Sequence, residues 1–198
     1  LVLALLLPVS ASALPSFAEV QRDFLPSEAS LLDRNGELLQ RLRVNMDERK
    51  LAWVKLEDVS PALRQALIAS EDRRFYQHSG IDWNAVAASA WGNLWNTRTR
   101  GASTITMQLA GLLHDDLRRK SGARTLTQKV SQAWIAQSLE RSWRKDQILE
   151  AYLNLVSFRG ELVGVHALSR VMFGKHPSGL DQGEAAIAVA LIRAPNAT

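Results

Sequence analysis

The chain of 198 residues carries 24 Lys and Arg against 20 Asp and Glu, a formal charge of +4, with 46% hydrophobic residues, 22% charged residues and no cysteine. That length and balance suit one packed domain of about 150 to 200 residues, leave no room for a second catalytic domain and exclude a disordered chain. The lack of cysteine excludes disulfides and thiolate metal sites, while the mild positive charge suits an anionic partner without choosing among phosphate, lipid headgroup and nucleic acid.

Residues 1–18 contain no charge and open Leu-Val-Leu-Ala-Leu-Leu-Leu. Such a stretch reads as the tail of an uncleaved transmembrane anchor, or as a signal-peptide core ending at the cleavage-like Ala11-Ser12-Ala13. Either reading carries Glu19 onward across a membrane. Residues 1–18 are therefore expected to be the anchor or signal segment and residues 19–198 the domain. Residues 29–44 predict a hairpin, because two Leu-rich runs flank Asp33-Arg34-Asn35-Gly36 and Asn-Gly is a tight-turn signal. The rest reads as helix. Ser60 and Pro61 are an N-cap and first-turn pair for a helix ending near Glu71. Asp82 caps a second helix from Trp83 to Trp95, which the polar run 96–101 breaks, and a third begins at Ser103 or Thr104. Thr125 with Gln128 forms a capping box for a long helix to about Arg141, and another helix runs from Lys145 through Leu153. Val163 to Phe173 predicts a helix closed by Gly174, and the last, capped by Asp181 with Glu184, stops before Pro195. The expected fold is mainly α.

Two strings carry the candidate chemistry. In Glu71-Asp72-Arg73-Arg74-Phe75-Tyr76-Gln77-His78-Ser79-Gly80 an acidic pair leaves an apolar helix for a turn, where partial desolvation suits a carboxylate to act as a base. Glu71 is the first candidate. The same residues also make an ordinary helix end, with Arg73 and Arg74 offsetting the dipole and Gly80 as the stop. In Gly101-Ala102-Ser103-Thr104-Ile105-Thr106-Met107-Gln108, a Gly and two hydroxyl residues at a helix start present donors to an anion or a sugar, with Gln108 one turn beyond Thr104. Its plainer reading is a Ser/Thr cap.

Taken together, Glu-Asp-x-x-Phe-x-x-His-x-Gly and, one helix later, Gly-x-Ser-Thr-x-Thr-x-Gln resemble the family 51 peptidoglycan glycosyltransferases, the polymerase domains of class A penicillin-binding proteins. The likeness continues through Arg124-Thr125-Leu126, the Lys129 helix, Lys145 to Asn154, Gly164 to Lys175 and the Glu184-Ala185-Ala186 helix, about residues 30–196. It implies a mainly α, lysozyme-like glycosyltransferase domain with a small N-terminal β-hairpin and a hydrophobic anchor. Such a domain elongates glycan strands from lipid II on the outer, periplasmic face of the bacterial cytoplasmic membrane. On this likeness Glu71 is the general base that takes the proton of the acceptor hydroxyl as it attacks the donor's anomeric carbon with inversion. Ser103, Thr104 and Gln108 would line the donor side, with Asp72, Phe75, His78, Gly101 and Arg124 also in the substrate site. Lys129 would hold the pyrophosphate, with or without a divalent cation such as Mg or Mn. No organic cofactor, no protein-held metal and no nucleic acid are implied. The implied partners are lipid II, the growing strand, the membrane and, as an option, other cell-wall synthesis proteins. A lipid diphosphate is a good leaving group once cations neutralise it, so the reaction needs a base more than a strong acid.

The chain departs from this pattern in the motif Arg-Lys-x-x-Glu, which here reads Gln128-Lys129-Val130-Ser131-Gln132. Gln132 thus takes the second acidic position in the catalytic pair; an amide there can hydrogen-bond a sugar or diphosphate but carries no charge. Gly111 and Leu112 also replace the basic and amide residues that often follow the second motif. These replacements are most like the penicillin-binding protein 1C branch. Two other readings stay open: a lysozyme-like hydrolase, which would need a protonated Glu71, and a catalytically weakened glycan-binding or scaffolding module. Smaller features have plain readings. Ser142-Trp143-Arg144-Lys145 spans a helix junction and lacks the companion motifs of penicillin-reactive enzymes. His114-Asp115-Asp116 reads as a solvated turn, the basic residues Arg98, Arg100, Arg118, Arg119 and Lys120 as solvated or near headgroups, and Trp83, Trp91 and Trp95 as either core or membrane interface.

Overall fold

The computed structural model describes residues 14–94, 103–114 and 126–193, and of 89–94 and 126–129 the backbone alone. A short helix α1 (Phe17–Arg22) precedes a hairpin of β1 (Glu28–Leu32) and β2 (Leu38–Arg43). The helices α2 (Pro61–Glu71), α3 (Trp83–Leu94), α4 (Ile105–Leu113), α5 (Leu126–Ser142), α6 (Lys145–Leu155), α7 (Gly164–Leu168) and α8 (Gln182–Arg193) follow. Between them lie a two-residue strand pair, β3 (Arg49–Lys50) with β4 (Leu162–Val163), and several 3-10 turns.

The hairpin forms where its turn chemistry places it. Asp33 accepts N–H bonds from Asn35 at 2.8 Å and Glu37 at 2.7 Å, an Asx-type closure. The strands pair antiparallel with Ser30 opposite Arg41. Each helix start expected from the described residues is also present. Ser60 caps α2 and donates its hydroxyl to Leu180 O at 2.6 Å, tying the start of α2 to the approach to α8. Asp181 and Glu184 exchange backbone bonds at 2.9 and 3.0 Å as a capping box. Thr125 lies outside the described residues.

The core is built on α6. Ile148, Leu149, Ala151, Tyr152 and Leu153 are fully buried, so α6 is enclosed rather than amphipathic. Helix α4 packs on both α5 and α6, while α2 packs on α8. Buried polar side chains lock the irregular segment 53–56 onto α6. Asn154 accepts Val54 N–H at 2.9 Å and donates to Val54 O at 2.8 Å; Glu150 accepts Trp53 Nε1–H and Leu56 N–H, each at 2.8 Å. Backbone that no strand can pair is thereby satisfied.

Three features differ from the sequence reading. Helix α1 begins within the stretch assigned to the hydrophobic segment: Ser16 and Glu19 form a capping box, and Phe17 meets Trp53 and Trp143 edge-on at 6.0 and 5.4 Å. Residues 14–18 therefore belong to the folded body, and residues 1–13 lie outside the described residues. No helix among the described residues is long and apolar enough to cross a membrane. The β3–β4 pair was not anticipated, since two residues leave no periodicity to read. Finally, Val163–Phe173 is not one α-helix. Val163 is in β4, α7 lasts five residues, and Ser169–Phe173 widens to a π-helical segment before Gly174. Gly164 sets this geometry: its φ is +81°, and a Cβ there would lie 2.6 Å from Asn154 O.

Candidate active site

Glu71 ends α2, and its carboxylate opens on a cavity of about 290 Å³ also lined by Ser103, Thr104, Gln108, Arg73, Arg74 and Arg193. The side chain is 12% exposed, so it is largely withdrawn from water yet still reachable. Gln108 Nε2 donates to Glu71 Oε2 at 3.1 Å. Arg193 Nε lies 3.6 Å from Oε1, and the Ser70 hydroxyl is a weak third contact at 3.4 Å. Gln108 is itself fixed from below, because the hydroxyl of fully buried Tyr152 donates to Gln108 Oε1 at 2.9 Å. A hydrogen-bonded line thus runs from the core, through an amide whose two ends are both used, to the carboxylate.

Asp72 leaves the helix in the opposite sense. It is buried; its carboxylate meets His78 Nε2 at 2.9 and 3.0 Å and accepts the backbone N–H of Ile105 at 3.0 Å. The first residue of α4 is thereby pinned to the first residue past α2, and the two sequence strings become one site. Thr104 makes a second tie. Its Oγ1 donates to Gly80 O at 2.6 Å while accepting Met107 N–H at 3.1 Å as the N-cap of α4. The plain cap reading of the second string and the site reading are therefore both true of Thr104. Gly80 makes the close approach possible, with φ +89° and a Cβ position 2.8 Å from the backbone carbon of Ala136 on α5. Arg74 pairs with Asp82, through Nε at 2.9 Å and through Nη2, and Asp82 also caps α3 by accepting Ala85 N–H at 3.0 Å. Burial opposes the charge on Asp82, but the Ala85 N–H and the Arg74 guanidinium outweigh it and hold its carboxyl below the usual range. Arg74 and Asp82 also line a neighbouring cavity of about 370 Å³ with His78, Trp83 and Gln137.

The expected site residues therefore divide. Glu71, Ser103, Thr104 and Gln108 share one cavity, as their strings imply. Asp72 also lines it, yet its oxygens are spent on His78 and Ile105. Phe75, expected in the substrate site, is fully buried with Lys145 Nζ 4.4 Å above its ring, and it supports the turn from beneath. Gln132, expected beside Glu71 as the second catalytic group, is 1% exposed and does not line the Glu71 cavity; neither amide atom has a hydrogen-bond partner among the described residues. It sits on the face of α5 that turns inward. Gly101 and Arg124 lie outside the described residues, as does the side chain of Lys129. Trp83 is 65% exposed, which removes the core reading for that residue.

Two contributors were not foreseen. Tyr152 lies within the Lys145 to Asn154 string, but its hydroxyl's destination is set by how α6 packs on α4. Arg193 reaches Glu71 only because α8 returns along α2. Among the described residues, no three His, Asp and Glu side chains converge as metal ligands. Beside Glu71 stand an amide and a guanidinium rather than a second oxygen donor of metal type.

The transglycosylase family profile matches residues 35–198. Over 181 residues the chain is 34% identical to a biosynthetic peptidoglycan transglycosylase of Mannheimia succiniciproducens, covering 87% of this chain and 69% of that protein. It is 36% identical over 176 residues to penicillin-binding protein 2D of Bacillus subtilis, covering 87% of this chain and 24% of that protein. It is 41% identical over 144 residues to penicillin-binding protein 1C of Escherichia coli, covering 72% of this chain and 18% of that protein. The chain therefore spans over two thirds of the first of these and less than a quarter of either penicillin-binding protein.

Proposed function

Because the chain belongs to the transglycosylase family, we propose that it polymerises lipid II into glycan strands, with Glu71 as general base, at the outer face of a bacterial cytoplasmic membrane. It is a peptidoglycan glycosyltransferase, and the observation that carries the finer reading is the Glu71 carboxylate on a cavity lined with hydroxyls and arginines, where the other two lining carboxylates, Asp72 and Asp82, are engaged by His78 and Arg74. In the reaction the acceptor hydroxyl oxygen forms the new bond to the donor's anomeric carbon from the face opposite the leaving group. Its proton passes to Glu71, and the electron pair of the broken carbon–oxygen bond departs with the lipid diphosphate. Gln108, held by Tyr152, aims the carboxylate. With Arg74 paired to Asp82, Arg73 and Arg193 are the lining cations that would meet a diphosphate. Membrane attachment through the uncharged residues 1–13 belongs to the same proposal.

The test is polymer formation from lipid II by the purified domain in the presence of magnesium. Glu71→Gln is expected to lower the rate by at least about a hundredfold with folding intact. No polymer from the wild type, or undiminished polymer from the variant, would overturn the reading. Release of fragments from finished glycan would instead support a hydrolase. A weakened glycan-binding module is the second reading, favoured by the uncharged, buried Gln132. Polymer that depends on Glu71 eliminates it.

A further inference from the structure

A third cavity, of about 260 Å³, shares no lining residue with either cavity at the Glu71 turn. It lies where the hairpin meets α7. Arg41 of β2, Arg170 of the π-helical segment, His166 of α7 and His176 all line it. The two imidazoles stand 6.0 Å apart. His166 Nδ1 donates to Ala52 O at 2.9 Å, and His176 Nδ1 accepts Ser178 N–H at 3.4 Å. The Nε2 of each ring is left without a partner among the described residues, and neither Arg41 nor Arg170 has an ion pair or hydrogen bond there. The one carboxylate lining the cavity, Glu28, lies 3.5 Å from the Arg49 guanidinium, which offsets its charge. Burial pushes His166 below the ordinary imidazole range against its bond to Ala52, and the charges of His176, Arg170 and Arg41 push it further. Basic groups from separate elements are thus held together with nothing negative left to balance them, an arrangement that an anion relieves.

We propose that this cavity binds a phosphate-class oxyanion, gripped by Arg41 and Arg170 and hydrogen-bonded by His166 and His176. Phosphate fits better than a carboxylate, because donors from β2, α7 and the segments after it surround more oxygens than a planar carboxylate offers. The source is either free phosphate or the phosphate of a lipid headgroup.

The experiment titrates the purified chain with inorganic phosphate at constant ionic strength, using chloride as the control. In parallel it measures co-sedimentation with phosphatidylglycerol and phosphatidylcholine vesicles. Arg41→Gln and Arg170→Gln are both exposed changes outside the Glu71 cavity, so unchanged polymer formation and thermal unfolding report an intact fold. Saturable phosphate binding that weakens about tenfold in each variant supports the site with a free ion as source. Binding to phosphatidylglycerol vesicles alone, weakened by the same variants, supports it with a headgroup as source. Chloride matching phosphate, or phosphate and vesicle binding that both variants leave untouched, overturns the proposal.

Discussion

A carboxylate can serve as a base only while it is aimed, and at Glu71 the aiming reaches back through Gln108 to Tyr152 in the core. Gln108 would rotate freely if only one end of its amide were held; Tyr152 fixes the other end. Tyr152→Phe removes that hold without opening a cavity. We expect a stability loss of about 1 kcal/mol and a turnover loss of about tenfold, read by thermal unfolding and polymer formation. A large stability loss with full turnover would contradict the positioning role. Asp82 shows a different residue-scale effect. Its folded carboxyl titrates below its unfolded value, so its contribution is present above about pH 4 and is lost as pH falls through the folded value. Asp82→Asn keeps a good N-cap but loses the charge pair with Arg74. The variant should therefore melt lower than wild type at pH 7, with the gap closing in acid. A gap that is constant with pH would refute this.

Among elements, the turn from 72 to 82 and helix α5 decide whether the site exists. Gly80 lies against the backbone of α5 at Ala136, and backbone cannot step aside as a side-chain end can. Gly80→Ala meets both this clash and a positive φ. A loss of about 3 kcal/mol or more is expected in urea unfolding, along with loss of polymer formation as the turn lifts from α5. Helix α5 itself carries an unsatisfied amide at Gln132, a position where an apolar side chain of similar shape would remove two unpaired polar atoms. Gln132→Met should stabilise the domain by about 1 kcal/mol. If it destabilises instead, the amide has a partner in the working protein.

Across the whole molecule, stability and site share the same buried polar ties. Asn154 stands in for a strand by pairing with both backbone groups of Val54, and Glu150 extends the dock to Trp53 and Leu56. Asn154→Ala strands a buried N–H and a buried carbonyl. A loss of about 2 to 4 kcal/mol is expected, still as a single unfolding transition, because the 53–56 segment joins the hairpin side of the molecule to α6. The aromatic contacts of Phe17 with Trp53 and Trp143 close the same side, which is why α1 packs onto the body despite its short length.

Helix starts, the hairpin turn and the two strings around Glu71 and Gln108 were legible because their determinants are local. A cap needs its oxygen within three residues, a tight turn needs Asn-Gly, and a catalytic string keeps its residues a fixed spacing apart. From the sequence alone came the mainly α class, the family likeness and Glu71 as the first candidate. Tertiary structure decided what each remaining residue does. Phe75 and Gln132, read as site residues, are buried by packing, whereas Tyr152 and Arg193 join the Glu71 contacts only because α6 and α8 return to α4 and α2. The reason is physical: burial and long-range hydrogen bonding depend on which helix faces meet, and no spacing along one chain segment encodes where a distant helix will lie.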